Sequence, residues 1–206
     1  MLPIEKRILT EKQLKETLSL ELKKYSCKSY YTSYLLALLG VREQAILVSH
    51  AVLLRKAEYY TNTNKKIRAL FYKFFLRHLQ NKYCLHIPLN CCAKGFKIMH
   101  VGPVLINEKS FVDENCSFHI NTALVAGGTT HAAPTLGKGV VVGIGAVVLG
   151  NTHISDNVAI GANAVVNKDV LETNIAVAGV PAKKISNNGR LTWNVKNKNE
   201  NSFVSN

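Results

Sequence analysis

Apolar positions follow two different rhythms along the chain. Up to residue 85 they recur at helical spacing. Leu14, Leu18 and Leu22 lie four apart, behind a Thr10-Glu11-Lys12-Gln13 stretch that has the form of a capping box. Residues 42–60 contain no Gly or Pro and predict a long helix. Residues 65–82 predict a basic amphipathic helix on which Ile67, Leu70, Phe71, Phe74, Phe75 and Leu79 share a face. That face is expected to pack on other helices, with a membrane- or polymer-binding surface as the sharper alternative. A short helix over 30–39, closed by Gly40, is also expected.

From residue 106 the rhythm changes to a period of six. Ile106, Val112, Phe118 and Leu124 form one run, and Leu136, Val142, Val148, Ile154, Ile160 and Val166 form another in the same phase. A period of six means one short strand and one corner per repeat. Three repeats close a triangular coil, so residues eighteen apart should stack. The expected columns are Ile106/Leu124/Val142/Ile160, Val112/Val148/Val166 and Phe118/Leu136/Ile154. Gly137, Gly143 and Gly161 follow lead aliphatics, where glycine relieves crowding at corners.

Composition agrees with a division near residue 85. All eight tyrosines lie at or before Tyr83, and twelve of thirteen glycines at or after Gly95. The fold class expected is α+β: a basic helical part over 1–85, a coil of hexapeptide repeats over 86–186, and an Asn-rich, poorly ordered tail over 187–206 in which Trp193 is a candidate to dock. Net charge is +13. Residues 1–85 hold 16 Lys+Arg against 6 Asp+Glu, and residues 86–206 hold 10 against 7, so ten of the surplus charges sit on the helical part. Such a surplus points to an anionic partner. No nucleic-acid module accompanies it, so an acidic acceptor or a membrane surface is the better expectation. No run of eighteen apolar residues is present, and the first residues lack the apolar core of a secretory signal. Five cysteines without a C-x-x-C pair suit free thiols, and the expected location is cytoplasmic.

The hexads, together with GFKIMHVGPVLIN (95–107), GGTTHAAPTLGKGVVVGIGAVVLG (127–150), ISDNVAIGANAVVNKDV (154–170) and AGVPAKKI (178–185), resemble the hexapeptide-repeat acyltransferases. The likeness is to serine acetyltransferases, in particular the branch associated with capsular and surface polysaccharide genes. It implies a left-handed parallel β-helix, acetyl-CoA as acetyl donor, no metal, and a homotrimer or dimer of trimers with sites between neighbouring coils.

The six-residue phase slips near a histidine. The lead aliphatic before Ile106 is Ile98, so two extra residues fall in the segment Met99–Leu105, which holds His100. Irregularities of this kind re-aim side chains. The resemblance implies that His100 is the general base that takes the proton from an acceptor hydroxyl. It implies a second active-site histidine in the GGTTHAAP loop, for which His131 is the candidate, with His119 as a neighbour of His100 one coil on. Backbone N–H groups near Gly127–Thr129 are candidates to hold the oxyanion. The donor's pantetheine arm is expected along Gly143, Ile144, Gly161 and Ala162, with Lys183 and Lys184 near its phosphates. Gly143-Ile144-Gly145 belongs to a hexad and not to a nucleotide-binding turn.

Two departures bear on the acceptor. Serine acetyltransferases carry an aspartate directly before the catalytic histidine and another fifteen residues earlier. Here those positions are Met99 and Leu85. Losing them favours a neutral saccharide hydroxyl over serine, and leaves Glu108 or a backbone carbonyl to orient His100. A zinc lyase like the γ-class carbonic anhydrases, using His100, His119 and His131, is a weaker alternative. A non-catalytic scaffold that binds an anionic polymer is another.

Overall fold

The structure is a computed structural model and describes residues 1–26, 42–128 and 131–191. The expected helix over 30–39 and residues 192–206 of the expected tail lie outside the described residues.

Among the described residues three α-helices precede the strands: α1 (Glu11–Lys24), α2 (Glu43–Asn62) and α3 (Lys66–Tyr83). The capping box forms as expected. The Gln13 N–H donates to Thr10 Oγ1, and Gln13 Oε1 accepts from the Thr10 N–H. α2 is almost wholly buried from Ala45 to Tyr59, whereas α3 buries only Ala69, Leu76 and Leu79.

Here the packing differs from expectation. Ile67, Leu70, Phe71 and Phe74 are exposed, and of the expected contact face only Leu79 is buried, with Phe75 partly so. The helix lays its opposite side on α2, because a small residue at 69 and leucines at 76 and 79 let the two helices come close.

From Leu85 the chain winds as a three-sided parallel coil. The first face stacks β1 (Leu85–His86), β3 (Val104–Ile106), β6 (Thr122–Val125), β9 (Val147–Leu149) and β12 (Val165–Val166). The second stacks β4 (Phe111–Val112), β7 (Thr135–Leu136) and β10 (His153–Ile154), with single bridges at Cys92 and Val170 extending it. The third stacks β2 (Lys97–Ile98), β5 (Ser117–Phe118), β8 (Val141–Val142), β11 (Ala159–Ile160) and β13 (Ala176–Ala178). The antiparallel β14 (Lys183–Ser186) then pairs with β13.

The register corrects the expected columns. Leu124 stacks on Val148, Val112 on Leu136 and Phe118 on Val142, each twenty-four residues apart. The strand-free loop between β6 and β7 takes up one hexad's worth of chain. Because it adds a whole period, the aliphatic phase survives while the stacking partner changes. Away from the loop, pairs such as Val142/Ile160 and Val148/Val166 keep the expected spacing of eighteen. The slip near His100 is present as expected: Ile98 stacks on Phe118, twenty residues on.

Helices and coil share one continuous apolar core that runs from Ala45 and Leu54 through Leu85 and Phe118 to Val177. A buried ionic cluster ties them together. Arg55 on α2 donates to Glu21 on α1, to Glu58 one turn away, and to the carbonyls of Cys92 and Ala93 in the first coil. Glu21 in turn accepts from the Gly95 N–H, and Glu58 from the Asn90 N–H. Burial alone works against the Arg55 charge, but the two carboxylates outweigh it and keep the guanidinium firmly protonated. At the far end Gly189 donates to the Asn174 carbonyl, and Arg190 to the carbonyls of Asn115 and Gly139, so residues 189–190 lie against the coil.

Candidate functional site

Each coil turns three corners, and the corners stack into three edges. The edge between the third and first faces gathers most of the candidates. His100 lies between β2 and β3, His119 between β5 and β6, Gly143 and Ile144 between β8 and β9, and Gly161 and Ala162 between β11 and β12. Gly179 and Val180 continue the edge after β13. Stacked strands are about 4.8 Å apart, so the edge runs roughly 19 Å from the His100 corner to Gly179.

The glycines on this edge are set by close approach between coils. A Cβ on Gly143 would stand 2.6 Å from the Ile160 carbonyl oxygen, and one on Gly161 would stand 2.8 Å from the Ala178 Cβ. Their corners are therefore flat, and Ile144 and Ala162 beside them are exposed.

His100 is solvent-accessible, with 57% of its side chain exposed. Its Nδ1 lies 3.4 Å from Glu43 Oε1, and the same oxygen accepts the Val101 N–H at 2.7 Å. The backbone bond fixes the carboxylate, and the carboxylate faces the ring nitrogen. The carboxylate lies on the Nδ1 side of the ring, which leaves Nε2 as the nitrogen open to an acceptor hydroxyl. The expected Glu108 is on a different edge, between β3 and β4, and does not orient His100. Glu43 had no signal at sequence level beyond being an acidic residue in a helix's first turn, where it complements the helix dipole.

The His119 ring centroid lies 6.2 Å from that of His100, as its place one coil on predicts. Partial burial, and then the charge of His100, hold His119 below its ordinary value.

His131 is elsewhere. It occupies the loop between β6 and β7, on the edge between the first and second faces, with a left-handed backbone (φ 50°). Its carbonyl accepts from Lys109 Nζ at 3.4 Å. Within one chain the fold does not bring His100 and His131 to the same edge. The Gly127 N–H, expected to face an oxyanion, instead donates to the Ala132 carbonyl within this loop. Lys183 and Lys184 lie on β14 beyond the last coil, and Lys184 is paired with Glu172 at 2.5 Å.

Leu85 and Met99 stand at the two positions without a carboxylate. Leu85 is fully buried in register with Val104, and the Met99 N–H donates to the Phe118 carbonyl. The buried thiols are poor nucleophiles: burial pushes Cys91 up to about 11 and Cys116 up to about 12. Among the described residues no group of three His, Cys, Asp or Glu side chains is placed to hold a metal ion. None of the described helices is long and apolar enough to cross a membrane.

No family model matches the chain. Curated relatives do. A serine acetyltransferase of Synechococcus elongatus is 40% identical over 101 residues, covering 47% of this chain and 40% of the relative. One from Helicobacter pylori is 38% identical over 96 residues, covering 46% and 56%. One from Buchnera aphidicola is 29% identical over 157 residues, covering 73% and 55%. The chain thus spans about half the length of the curated relatives it matches. Among solved structures, the serine acetyltransferase of Brucella abortus in complex with coenzyme A aligns with a TM-score of 0.63 at 22% identity, covering 87% of this chain and 70% of that one. The Neisseria gonorrhoeae enzyme in complex with serine aligns at 0.54 and 24% identity, covering 84% and 69%. The chain is therefore similar in sequence to serine acetyltransferases and has the left-handed β-helix fold of hexapeptide-repeat transferases.

Proposed function

We propose that this protein is an acetyl-CoA-dependent O-acetyltransferase, with His100 as general base and serine as acceptor. The observation that carries this reading is the pairing of His100 with Glu43 at the head of an edge whose later corners are the flat Gly143 and Gly161 steps. The names of the relatives support acetyl-CoA as donor and serine as acceptor.

The chemistry follows from the geometry. A hydroxyl is a weak nucleophile until a base takes its proton during attack. Nε2 of His100 accepts that proton as the hydroxyl oxygen attacks the thioester carbonyl. Glu43 stabilises the imidazolium that forms, as a positioning residue. When the C–S bond breaks, His100 returns the proton to the leaving thiolate. No acyl-cysteine is needed, which suits the raised thiols. The donor's pantetheine arm is assigned to Gly143, Ile144, Gly161 and Ala162, and its phosphates to Lys183, since Lys184 already has a carboxylate partner.

A saccharide acceptor is the second reading, favoured by Met99 and Leu85 in place of carboxylates. Serine stays the first reading because the similar proteins are named serine acetyltransferases. Free thiols and an intracellular donor suit a cytoplasmic enzyme. We further propose a homotrimer, because His100 and His131 stand on different edges of one coil and meet only if neighbouring chains supply one each.

The test is thiol release from acetyl-CoA offered serine, a panel of sugars and acidic polymers, with the product identified by mass. O-acetylserine supports the first reading and an acetylated sugar the second. No release with any acceptor returns the protein to a scaffold role.

A further inference from the structure

We propose that the outward face of α3 docks on an anionic lipid surface. Ile67, Leu70, Phe71 and Phe74, at i, i+3, i+4 and i+7, form one stripe and are between 55% and 88% exposed. The stripe is about 10 Å long at 1.5 Å rise per residue. It lies opposite Ala69, Leu76 and Leu79, which seat the helix on the protein, so packing among the described residues does not bury it. An exposed stripe of Phe, Leu and Ile side chains marks a contact site.

Charge selects the occupant. Lys66, Lys73 and Arg77 line one side of the stripe, and Arg68 and Lys82 the other. No Asp or Glu occurs anywhere in α3. Arg68 lies over the Tyr60 ring and Lys82 beside the Tyr83 ring, so these two cations of one rim are braced on aromatic faces. An apolar stripe between two cationic rims fits an interface of acyl chains beneath anionic headgroups. A second copy of this helix fits poorly, because a two-fold contact would set cationic rims against each other.

Co-sedimentation tests this with two vesicle types: phosphatidylcholine alone, and phosphatidylcholine carrying about 30% phosphatidylglycerol. The wild-type chain should bind the anionic vesicles at least roughly tenfold more tightly, and lose that binding in raised salt. Phe71→Ser/Phe74→Ser and Lys73→Glu/Arg77→Glu should each abolish the preference while melting at the wild-type temperature, since these side chains face solvent. If one pair fails to fold, the other still decides. Equal binding to both vesicles, binding to neither, or undiminished binding by the variants would overturn the proposal. So would self-association that Phe71→Ser/Phe74→Ser abolishes while wild type ignores vesicles.

Discussion

Glu43, at the start of α2, holds its carboxylate 3.4 Å from Nδ1 of His100, at the first corner of the edge between the third and first faces and fifty-seven residues further along the chain. The helical part therefore supplies a group that the coil lacks. Glu43→Gln should lower kcat for acetyl transfer by roughly tenfold to a hundredfold with little change in KM for acetyl-CoA. Glu43→Asp should recover part of the loss. A purely structural role would instead lower the melting temperature without separating kcat from KM.

The buried cluster around Arg55 is the clamp between helices and coil. Arg55→Met leaves Glu21 and Glu58 buried without their cation. It should destabilise the fold by about 3–5 kcal/mol, read from urea unfolding. A loss below about 1 kcal/mol would show that the clamp is not needed.

His50 gives stability a pH dependence. It is buried on α2, with Nε2 3.3 Å from Gln80 Nε2, and burial lowers it to about 3. An unfolded histidine, near 6.5, binds a proton that the native one refuses. Between those values the unfolded state holds more protons, so stability falls as pH drops from about 6.5 toward 3, by about 1.4 kcal/mol per unit. Unfolding of His50→Gln across this window should lack that part of the slope, and identical slopes would contradict the assignment.

Much of this was readable in the sequence, for physical reasons. A hexad needs an aliphatic at each inward position, so the coil shows itself through Val142, Val148 and Ile154. The change of stacking partner across the loop bearing His131 escaped because the loop's added length equals one period and leaves the phase intact. Periodicity on α3 revealed an apolar stripe but not which side faces inward. Glu43 was hidden because its partner is set by tertiary packing and not by spacing.

The groove proposed for the donor can be blocked without touching the core. Ala162 is exposed on the edge below His100, and Ala162→Trp should raise KM for acetyl-CoA by about tenfold while leaving the melting temperature unchanged. An unchanged KM would move the donor to another edge.

If neighbouring chains share a site, His100→Ala and His131→Ala should each be inactive alone. Subunit exchange between equal amounts should restore up to about a quarter of the sites, since each needs one intact residue from each of two chains. No recovery on mixing, with exchange verified, would contradict the shared site.

The central claim is that His100 is the base for acetyl transfer. The measurement is the rate of coenzyme A thiol release with acetyl-CoA and serine, in the wild type and in His100→Ala of equal melting temperature. O-acetylserine should form one for one with thiol, and the variant should lose roughly a hundredfold to ten-thousandfold of the rate. Wild-type rates from His100→Ala would contradict the claim.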